Sequence, residues 1–329
     1  MPATLPHDVY FYEAFEEEWE RISAYLPSSI RAGYTDKTIR ESGDNNPPAK
    51  IISVRTQSTI PESWLTRVSG LLTRSTGFDY FQSLKHLSPP SVQFGYLPLY
   101  CARAVAEQAM LLWMALMRKL PRQMEQYKTF HRDGLTGCEC REKSLLVVGV
   151  GNIGYEIVQI GRGLDMVVRG VDIVRKHNDV DYVDFDEALP DADIIVSAMN
   201  LTPENTGYFY YERMKTAKTG ALFVNIARGE QSNPSDLKRL LDDGILGGIA
   251  MDVYPFEDEL GTALRMNLEI KNEELKIIQT LSRYSNVIMT PHNAFNTTES
   301  VERKAQQSVQ QVQHFLETGK FLWEVPDPT

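Results

Sequence analysis

The stretch that decides the fold is Leu145-Leu-Val-Val-Gly149-Val-Gly151-Asn-Ile-Gly154-Tyr-Glu-Ile-Val158. Its first half is an apolar run of strand length, and its second half begins a helix at the glycines. At such a turn, G-x-G-x-x-G allows a tight turn, a close approach of backbone to a pyrophosphate, and close helix packing. The amides at the helix start can bind phosphate. This stretch predicts the first unit of a dinucleotide-binding α/β domain.

A second strand, Met166–Val171, ends at Asp172, which lies 18 residues after Gly154. An acid at about this spacing accepts hydrogen bonds from the adenosine ribose and repels a 2′-phosphate. Arg175 and Lys176 could serve a phosphate instead, although two basic residues after a strand are more typical of a solvated loop. We therefore predict NAD rather than NADP as the cofactor.

Strand-like runs alternate with helical stretches on both sides of this turn, which indicates parallel sheets built from βαβ units. Upstream, the predicted strands are Val9–Tyr12, Ile30–Gly33, Lys50–Val54, Gly70–Arg74 and Val92–Phe94, with helices at Ala14–Tyr25 and Ala102–Tyr127 and a surface loop at Glu41–Pro48. Downstream, beyond Leu145–Val150 and Met166–Val171, the predicted strands are Ile194–Ala198, Ala221–Ile226, Gly247–Val253 and Val287–Thr290, with helices at Ile153–Leu164, Ser235–Asp242 and Glu299–Gly319.

Composition sets limits on the class of protein. The 329 residues are 42% hydrophobic and 24% charged, which suits two globular domains and excludes disorder and coiled coil. The net charge of −10 argues against nucleic acid and anionic membranes as partners. No run of about 18 apolar residues occurs, and the N-terminal residues lack a signal-peptide pattern, so we expect a cytoplasmic protein.

The three cysteines, Cys101, Cys138 and Cys140, lack the spacing and the histidine cluster of a zinc or redox site. We expect free thiols and no metal. The apolar cluster of Met and Trp in the Ala102–Tyr127 helix is typical of core or of a subunit interface.

Three further segments follow strands: Val224–Gly229 (VNIARG), Ala250–Glu257 (AMDVYPFE) and Met289–Phe295 (MTPHNAF). In order and spacing, these segments and the glycine turn resemble the D-isomer-specific 2-hydroxyacid dehydrogenase family from about Leu71 to Gly319, and most closely its D-lactate dehydrogenase branch. The resemblance implies an α/β fold with two Rossmann-like, doubly wound parallel-sheet domains and an active site in the cleft between them. It implies a substrate-binding domain at 1–101 plus 299–329 and an NAD-binding domain at 102–298.

The resemblance also implies three catalytic residues. Arg228 would anchor the substrate carboxylate and carbonyl, because a guanidinium binds a carboxylate in a bidentate manner. His292 would be the general acid/base, with Glu257 as its partner, because a neighbouring carboxylate favours the imidazolium that protonates a carbonyl oxygen.

Binding residues are implied in the same way. The Arg74-Ser-Thr-Gly77 turn would hold the substrate carboxylate through Thr76 and Gly77, and Tyr100 would lie over the substrate, although an ordinary packed tyrosine is the alternative. The cofactor would contact Gly149, Gly151, Asn152, Ile153, Gly154, Asp172, Met199, Asn200, Ile226, Ala227 and Asp252.

Some features depart from the family pattern. Met199-Asn200 replaces a Val-Pro or Leu-Pro pair, and Ser232-Asn233 replaces Val-Asp. The segment Asp258–Asn286 is longer than the connector of many family members and resembles the D-lactate dehydrogenase branch. Arg55 could reach the substrate and favour an acidic or larger one, although a surface arginine is the plainer interpretation.

The predicted function is an NAD-dependent D-2-hydroxyacid dehydrogenase acting on a small 2-oxo or 2-hydroxy acid, in a homodimer. The alternatives are an NADH-sensing protein like the C-terminal-binding corepressors, on the same fold, and a glyoxylate/hydroxypyruvate reductase of the same family.

Overall fold

The computed structural model describes residues 5–327. Residues 1–4 and 328–329, which belong to the ends of the predicted substrate-binding domain, lie outside the described residues. The chain divides into two compact units. Unit 1 comprises Met1–Cys101 and Asn296–Thr329, and unit 2 comprises Ala102–Phe295.

Strands and helices are numbered along the described chain. The strands are β1 His7–Phe11, β2 Ala32–Tyr34, β3 Ala49–Val54, β4 Gly70–Thr73, β5 Gln93–Gly95, β6 Ser144–Val148, β7 Val167–Val171, β8 Ile194–Ser197, β9 Ala221–Asn225, β10 Leu246–Met251 and β11 Val287–Met289. The α-helices are α1 Glu16–Tyr25, α2 Ile39–Ser42, α3 Asp79–Leu87, α4 Ala102–Met117, α5 Leu120–Gln126, α6 Asn152–Gly163, α7 Phe185–Ala188, α8 Tyr211–Met214, α9 Pro234–Asp242, α10 Glu257–Met266, α11 Glu273–Leu281 and α12 Thr298–Thr318.

Unit 1 is built on a parallel sheet of five strands in the order β2-β1-β3-β4-β5. β4 is buried along its whole length and β3 nearly so, as expected for strands covered on both faces. Trp64, Phe81 and Phe94 fill the core on one side. The strand order reverses between β1 and β3, and the carboxyl ends of strands at such a switch point border the crevice where open α/β sheets bind ligands.

The last helix, α12, packs within unit 1. Its residue Glu302 pairs with Arg21 of α1 at 3.5 Å, and Phe315 fills the space beside Gly70 at the start of β4. Gly319, with φ of +79°, ends the helix in the left-handed conformation that glycine adopts readily. The predicted helix and its glycine stop are therefore present.

Unit 2 is built on a parallel sheet of six strands in the order β11-β10-β9-β8-β6-β7, and Gly170 of β7 adds a parallel bridge to Tyr182. The order reverses between β6 and β8, so the glycine turn after β6 lies at the switch point. Both units are parallel-sheet α/β structures, as the sequence predicts.

The predicted helix from Ala102 to Tyr127 is wrong as a single helix, because α4 ends at Met117 and α5 begins at Leu120. The carbonyl of Met117 would accept a hydrogen bond from residue 121, which is a proline and has no N–H. The N–H of Cys138 donates to that carbonyl instead, at 3.0 Å, and Lys119 adopts a positive φ of 51°. The proline therefore redirects the chain.

Two other segments noted from the sequence contain helices. The Glu41–Pro48 loop begins inside the short helix α2, which a capping box between Thr38 and Glu41 stabilises. The long segment Asp258–Asn286, for which the sequence predicts no particular secondary structure, contains most of α10 and all of α11. Among the described residues, none of the helices is both long and apolar enough to cross a membrane.

Candidate active site

The glycine turn of unit 2 has the geometry of a phosphate cradle. Gly149 has a φ of +94°, and a Cβ there would lie 2.6 Å from the backbone nitrogen of Met199. A Cβ on Gly154 would lie 1.9 Å from the carbonyl oxygen of Gly149, whereas one on Gly151 would meet nothing within 4 Å. The turn therefore requires glycine at two positions for packing, while Gly151 borders open space where α6 begins.

Asp172 lies at the end of β7, directly beside this turn. Its Oδ2 accepts a hydrogen bond from the Val150 N–H at 2.6 Å, and its Oδ1 accepts one from the Val174 N–H at 2.9 Å. Each carboxylate oxygen can accept a further bond. The carboxylate is thus fixed next to the cradle, and Ile173, which follows it, is fully exposed. Cradle and acid together fit a dinucleotide.

Two turns after β8 and β9 are joined by buried polar side chains. The Gln231 amide nitrogen donates to the carbonyls of Met199 and Asn200, at 3.2 Å each. The Asn225 amide nitrogen donates to the Arg228 carbonyl at 2.9 Å and to the Ser232 hydroxyl at 3.1 Å. These bonds hold the predicted cofactor residues Met199, Asn200, Ile226 and Ala227 at the carboxyl edge of the sheet.

Asp252, at the end of β10, is fully buried. Its Oδ1 accepts bonds from the Thr290 hydroxyl at 2.5 Å and the Asn293 N–H at 2.9 Å, and its Oδ2 accepts one from the Ala294 N–H at 2.8 Å. Burial raises the pKa of the Asp252 carboxyl, against the opposing effects of His292 and these donors. Asp252 therefore fixes the loop that carries His292.

His292 and Glu257 form a close pair within unit 2. The Nδ1 atom of His292 lies 2.7 Å from Oε1 and 2.8 Å from Oε2 of Glu257. His292 has a φ of 51°, and Phe256, the residue before Glu257, has a φ of 53°. Left-handed conformations at bulky residues are uncommon and cluster at functional sites. The bond through Nδ1 leaves Nε2 as the ring atom suited to proton exchange with a ligand.

Arg228 lies in the turn after β9, the neighbour of β10 in the sheet. The side chain is partly exposed, and its Nη1 donates to the Ala227 carbonyl at 2.7 Å. Gly229 follows it, and a Cβ there would lie 1.9 Å from the backbone carbon of Tyr254. The backbone after Arg228 is therefore pressed against the segment that leads to Glu257. The three predicted catalytic residues thus all lie at carboxyl ends of adjacent strands.

In unit 1, the predicted substrate turn follows β4. The Thr76 hydroxyl donates to the Leu97 carbonyl at 3.1 Å and contacts the Cys101 sulfur at 3.3 Å. The Ser75 hydroxyl donates to the Gly77 carbonyl at 2.6 Å. With these side chains bonded within the unit, the backbone amides of the turn are the groups suited to a carboxylate.

Tyr100 is buried in unit 1, and its carbonyl accepts bonds from the Ser300 hydroxyl at 3.2 Å and from Nε of Arg303 at 2.9 Å. Burial raises the pKa of its hydroxyl well above the ordinary range. The phenol therefore stays protonated at any physiological pH.

Within residues 5–327, no group of three or more His, Cys, Asp or Glu side chains is arranged to hold a metal ion. Cys101 is buried, Cys138 is exposed and Cys140 is half-buried, all as free thiols.

Sequence reasoning missed the residues that support the site rather than form it. Gln231 and Asn225 are fully buried polar residues, and Ser232 belongs to the pair noted above as a departure from the family pattern. Of Gln231 and Asn225, only Asn225 lies within a segment that the sequence marks as functional, VNIARG.

Comparison with known proteins agrees with this geometry. The family model for the NAD-binding domain of D-isomer specific 2-hydroxyacid dehydrogenases matches residues 110–294, more than half of the chain. An aromatic 2-oxoacid reductase from Clostridium sporogenes is 29% identical over 254 residues, 74% of this chain and 75% of that protein. A D-lactate dehydrogenase from Lactiplantibacillus plantarum is 28% identical over 264 residues, 77% of each chain.

Among solved structures, D-lactate dehydrogenase from Aquifex aeolicus, complexed with NAD and lactic acid, superimposes with a TM-score of 0.82 at 25% identity, covering 95% of this chain and 98% of that one. The match extends over both units. The chain belongs to the D-isomer specific 2-hydroxyacid dehydrogenase family and is an oxidoreductase of its D-lactate dehydrogenase branch.

Proposed function

We propose that this chain is an NAD-dependent dehydrogenase that interconverts a 2-oxo acid and the corresponding D-2-hydroxy acid. The observation that carries the proposal is the Glu257–His292 pair, held at 2.7 Å in the same unit as the glycine turn and Asp172. The pair is a proton donor oriented by a carboxylate, which is what reduction of a carbonyl requires.

The cofactor site of the proposal uses unit 2 as the NAD-binding domain. NADH, when bound, supplies the hydride that adds to the carbonyl carbon. Asp172 binds the adenosine ribose and disfavours a 2′-phosphate. The residues assigned to the phosphates are Gly149, Gly151, Asn152, Ile153 and Gly154, and those assigned to the nicotinamide half are Met199, Asn200, Ile226, Ala227 and Asp252.

The substrate residues of the proposal are those that the family resemblance implies. Arg228 binds the carboxylate and polarises the carbonyl, and the amides of Thr76 and Gly77 are further donors to the carboxylate. His292 donates the proton from Nε2 to the carbonyl oxygen, and Glu257 stabilises the imidazolium before transfer. Tyr100 packs against the substrate. The predicted limits of the substrate-binding domain, 1–101 plus 299–329, stay a prediction.

We also propose that the enzyme is a homodimer. Large apolar side chains are exposed along α4, α5 and the loop that follows, including Leu111, Met124, Tyr127 and Phe130. Several large exposed apolar side chains on neighbouring elements are a candidate surface for another protein to cover, and a second copy of the chain is the commonest partner. Light scattering should give twice the chain mass of 37.4 kDa, and the mass of a single chain would contradict this.

The test of the proposed function is NADH oxidation by the purified chain with a panel of 2-oxo acids, from glyoxylate and pyruvate to phenylpyruvate and oxaloacetate. We expect turnover with at least one, and a loss of roughly 10²–10⁴-fold in kcat for His292→Ala with NADH binding retained. Tight NADH binding without turnover of any acid would favour the NADH-sensing alternative instead.

A further inference from the structure

The sheet of unit 1 has its own switch point, at the carboxyl ends of β1 and β3. Glu13, just after β1, has a φ of 56° and is buried. Its carboxylate accepts hydrogen bonds from three backbone N–H groups after β3, those of Arg55 at 3.0 Å, Gln57 at 3.0 Å and Ser58 at 3.1 Å. The turn that carries Arg55 is therefore fixed at the place where sheets of this order bind ligands.

Buried charges surround this point. The Oε1 atom of Glu18 lies 2.8 Å from Nε of Arg74 and 2.8 Å from Nζ of Lys304, and all three side chains are fully buried. The guanidinium carbon of Arg55 lies 5.6 Å from the centre of the Phe15 ring, and Nζ of Lys304 lies 5.8 Å from the same centre. We call Glu13, Glu18, Arg55, Arg74 and Lys304 the switch-point cluster.

The switch-point cluster has three basic and two acidic members, in a chain whose net charge is −10. Burial lowers the pKa of the Lys304 ammonium; Glu18 opposes that shift, and the charges of Arg55 and Arg74 add to it. Burial is the first cause of that shift, and the two nearby guanidinium groups add to it. Only Arg55 is partly exposed, so it is the member that can meet a ligand.

We propose that this switch point is a subsite for a second acidic group and that Arg55 binds the distal carboxylate of a 2-oxo dicarboxylic acid. The inference rests on the proposed function, in which Arg228 and the Thr76–Gly77 amides already bind the reacting carboxylate. Arg55 follows β3 and the Thr76–Gly77 turn follows β4, the neighbouring strand, so both lie at the carboxyl edge of the same sheet. A guanidinium on a fixed backbone suits a carboxylate because it binds through two parallel N–H groups with little loss of entropy.

The first measurement needs no variant. Oxaloacetate and 4-methyl-2-oxopentanoate have nearly the same shape, because a carboxylate replaces an isopropyl group, and they differ in one charge. We expect kcat/KM for oxaloacetate to exceed that for 4-methyl-2-oxopentanoate, which has one carboxylate only, by about tenfold or more. The product must be identified as malate, since oxaloacetate decarboxylates to pyruvate in solution.

The second measurement removes the charge. Arg55→Gln should lower kcat/KM for oxaloacetate by about 10- to 100-fold and leave that for 4-methyl-2-oxopentanoate within about threefold. Arg55→Lys should recover part of the loss, because it keeps the charge without the fork. The matched control is Arg67→Gln, because Arg67 is an exposed residue just before β4, at the opposite edge of the same sheet, where it bonds to Asn46.

The outcomes separate the two proposals. If the enzyme reduces 4-methyl-2-oxopentanoate as well as or better than oxaloacetate, the acidic subsite is wrong and the dehydrogenase function stands. Equal losses for both substrates in Arg55→Gln would likewise reject the subsite. If no 2-oxo acid is reduced at all, the proposed function fails and this inference fails with it. The melting temperature of each variant verifies folding, because Arg55 and Arg67 lie in unit 1 whereas NADH binding reports on unit 2.

Discussion

The buried pair of Glu18 and Lys304 makes the stability of unit 1 depend on pH in a direction that the structure specifies. Burial lowers the pKa of Lys304 from 10.5 to about 7, although Glu18 acts to raise it. Between these values, the unfolded chain binds a proton that the folded chain has released. The free energy of unfolding therefore rises with pH across this window. The cost of charging Lys304 in the folded chain is complete below pH 7 and disappears as the pH rises toward 10.5.

The magnitude follows from the same shift. One pKa unit corresponds to about 1.4 kcal/mol. The full window therefore amounts to about 5 kcal/mol at most, and raising the pH from 7.5 to 9.5 should add about 2–3 kcal/mol to the free energy of unfolding. Lys304→Met should abolish this rise, because the side chain then has no proton to release. At pH 7.5 the variant should be less stable than the parent, because removing one partner of a buried ion pair leaves Glu18 with fewer groups to compensate its charge.

The assay is equilibrium unfolding in urea at several pH values, followed by tryptophan fluorescence. Trp19, Trp64 and Trp323 all belong to unit 1. Lys320→Met is the matched control, because Lys320 lies just beyond the same helix and is exposed. It should keep the rise of the parent protein. A difference between parent and Lys304→Met that stays constant with pH, or that changes in the opposite direction, would refute the reasoning.

Three other changes test the site itself. Arg228→Gln should raise KM for the oxo acid steeply, by a factor that corresponds to about 2–5 kcal/mol, and should also lower kcat; both constants within about threefold of the parent would remove the anchor role. In the parent we expect NADH to be preferred over NADPH by about 1–3 kcal/mol, and Asp172→Ala should reduce that preference. Equal kcat/KM for the two cofactors in the parent would contradict the role of Asp172. Gly229→Ala should lower the melting temperature and kcat together, because its Cβ would lie 1.9 Å from Tyr254 and 2.1 Å from Pro255 backbone atoms; unchanged values would mean that the backbone yields.

Local pattern was sufficient for the class of fold and for most strands. A buried parallel strand is a short apolar run, and the glycine turn after β6 obeys steric limits that act within a few residues. The same holds for Asp172, whose spacing from the glycines reflects one helix and one strand. These features depend on neighbours in sequence, so the sequence determines them without knowledge of the rest of the fold.

The predicted single helix from Ala102 to Tyr127 is wrong because partners distant in sequence decide the conformation there. The break between α4 and α5 depends on Pro121, which is visible in the sequence. It also depends on the N–H of Cys138, which donates to the Met117 carbonyl that Pro121 cannot serve. The sequence also left the structure of the Asp258–Asn286 segment unpredicted, and its helices bury Leu260, Leu275 and Ile278 in the core of unit 2. Such packing depends on residues many positions away, which periodicity over a short window does not report.

The residues of the candidate site divide in the same way. The catalytic and glycine positions lie in segments that the sequence marks, because their chemistry demands particular residue types. Only the folded chain brings Glu257 to 2.7 Å from His292, 35 positions apart, and only it buries Glu18 between Arg74 and Lys304. A buried polar residue looks the same in sequence as a surface one, since what distinguishes them is the water that tertiary packing has removed.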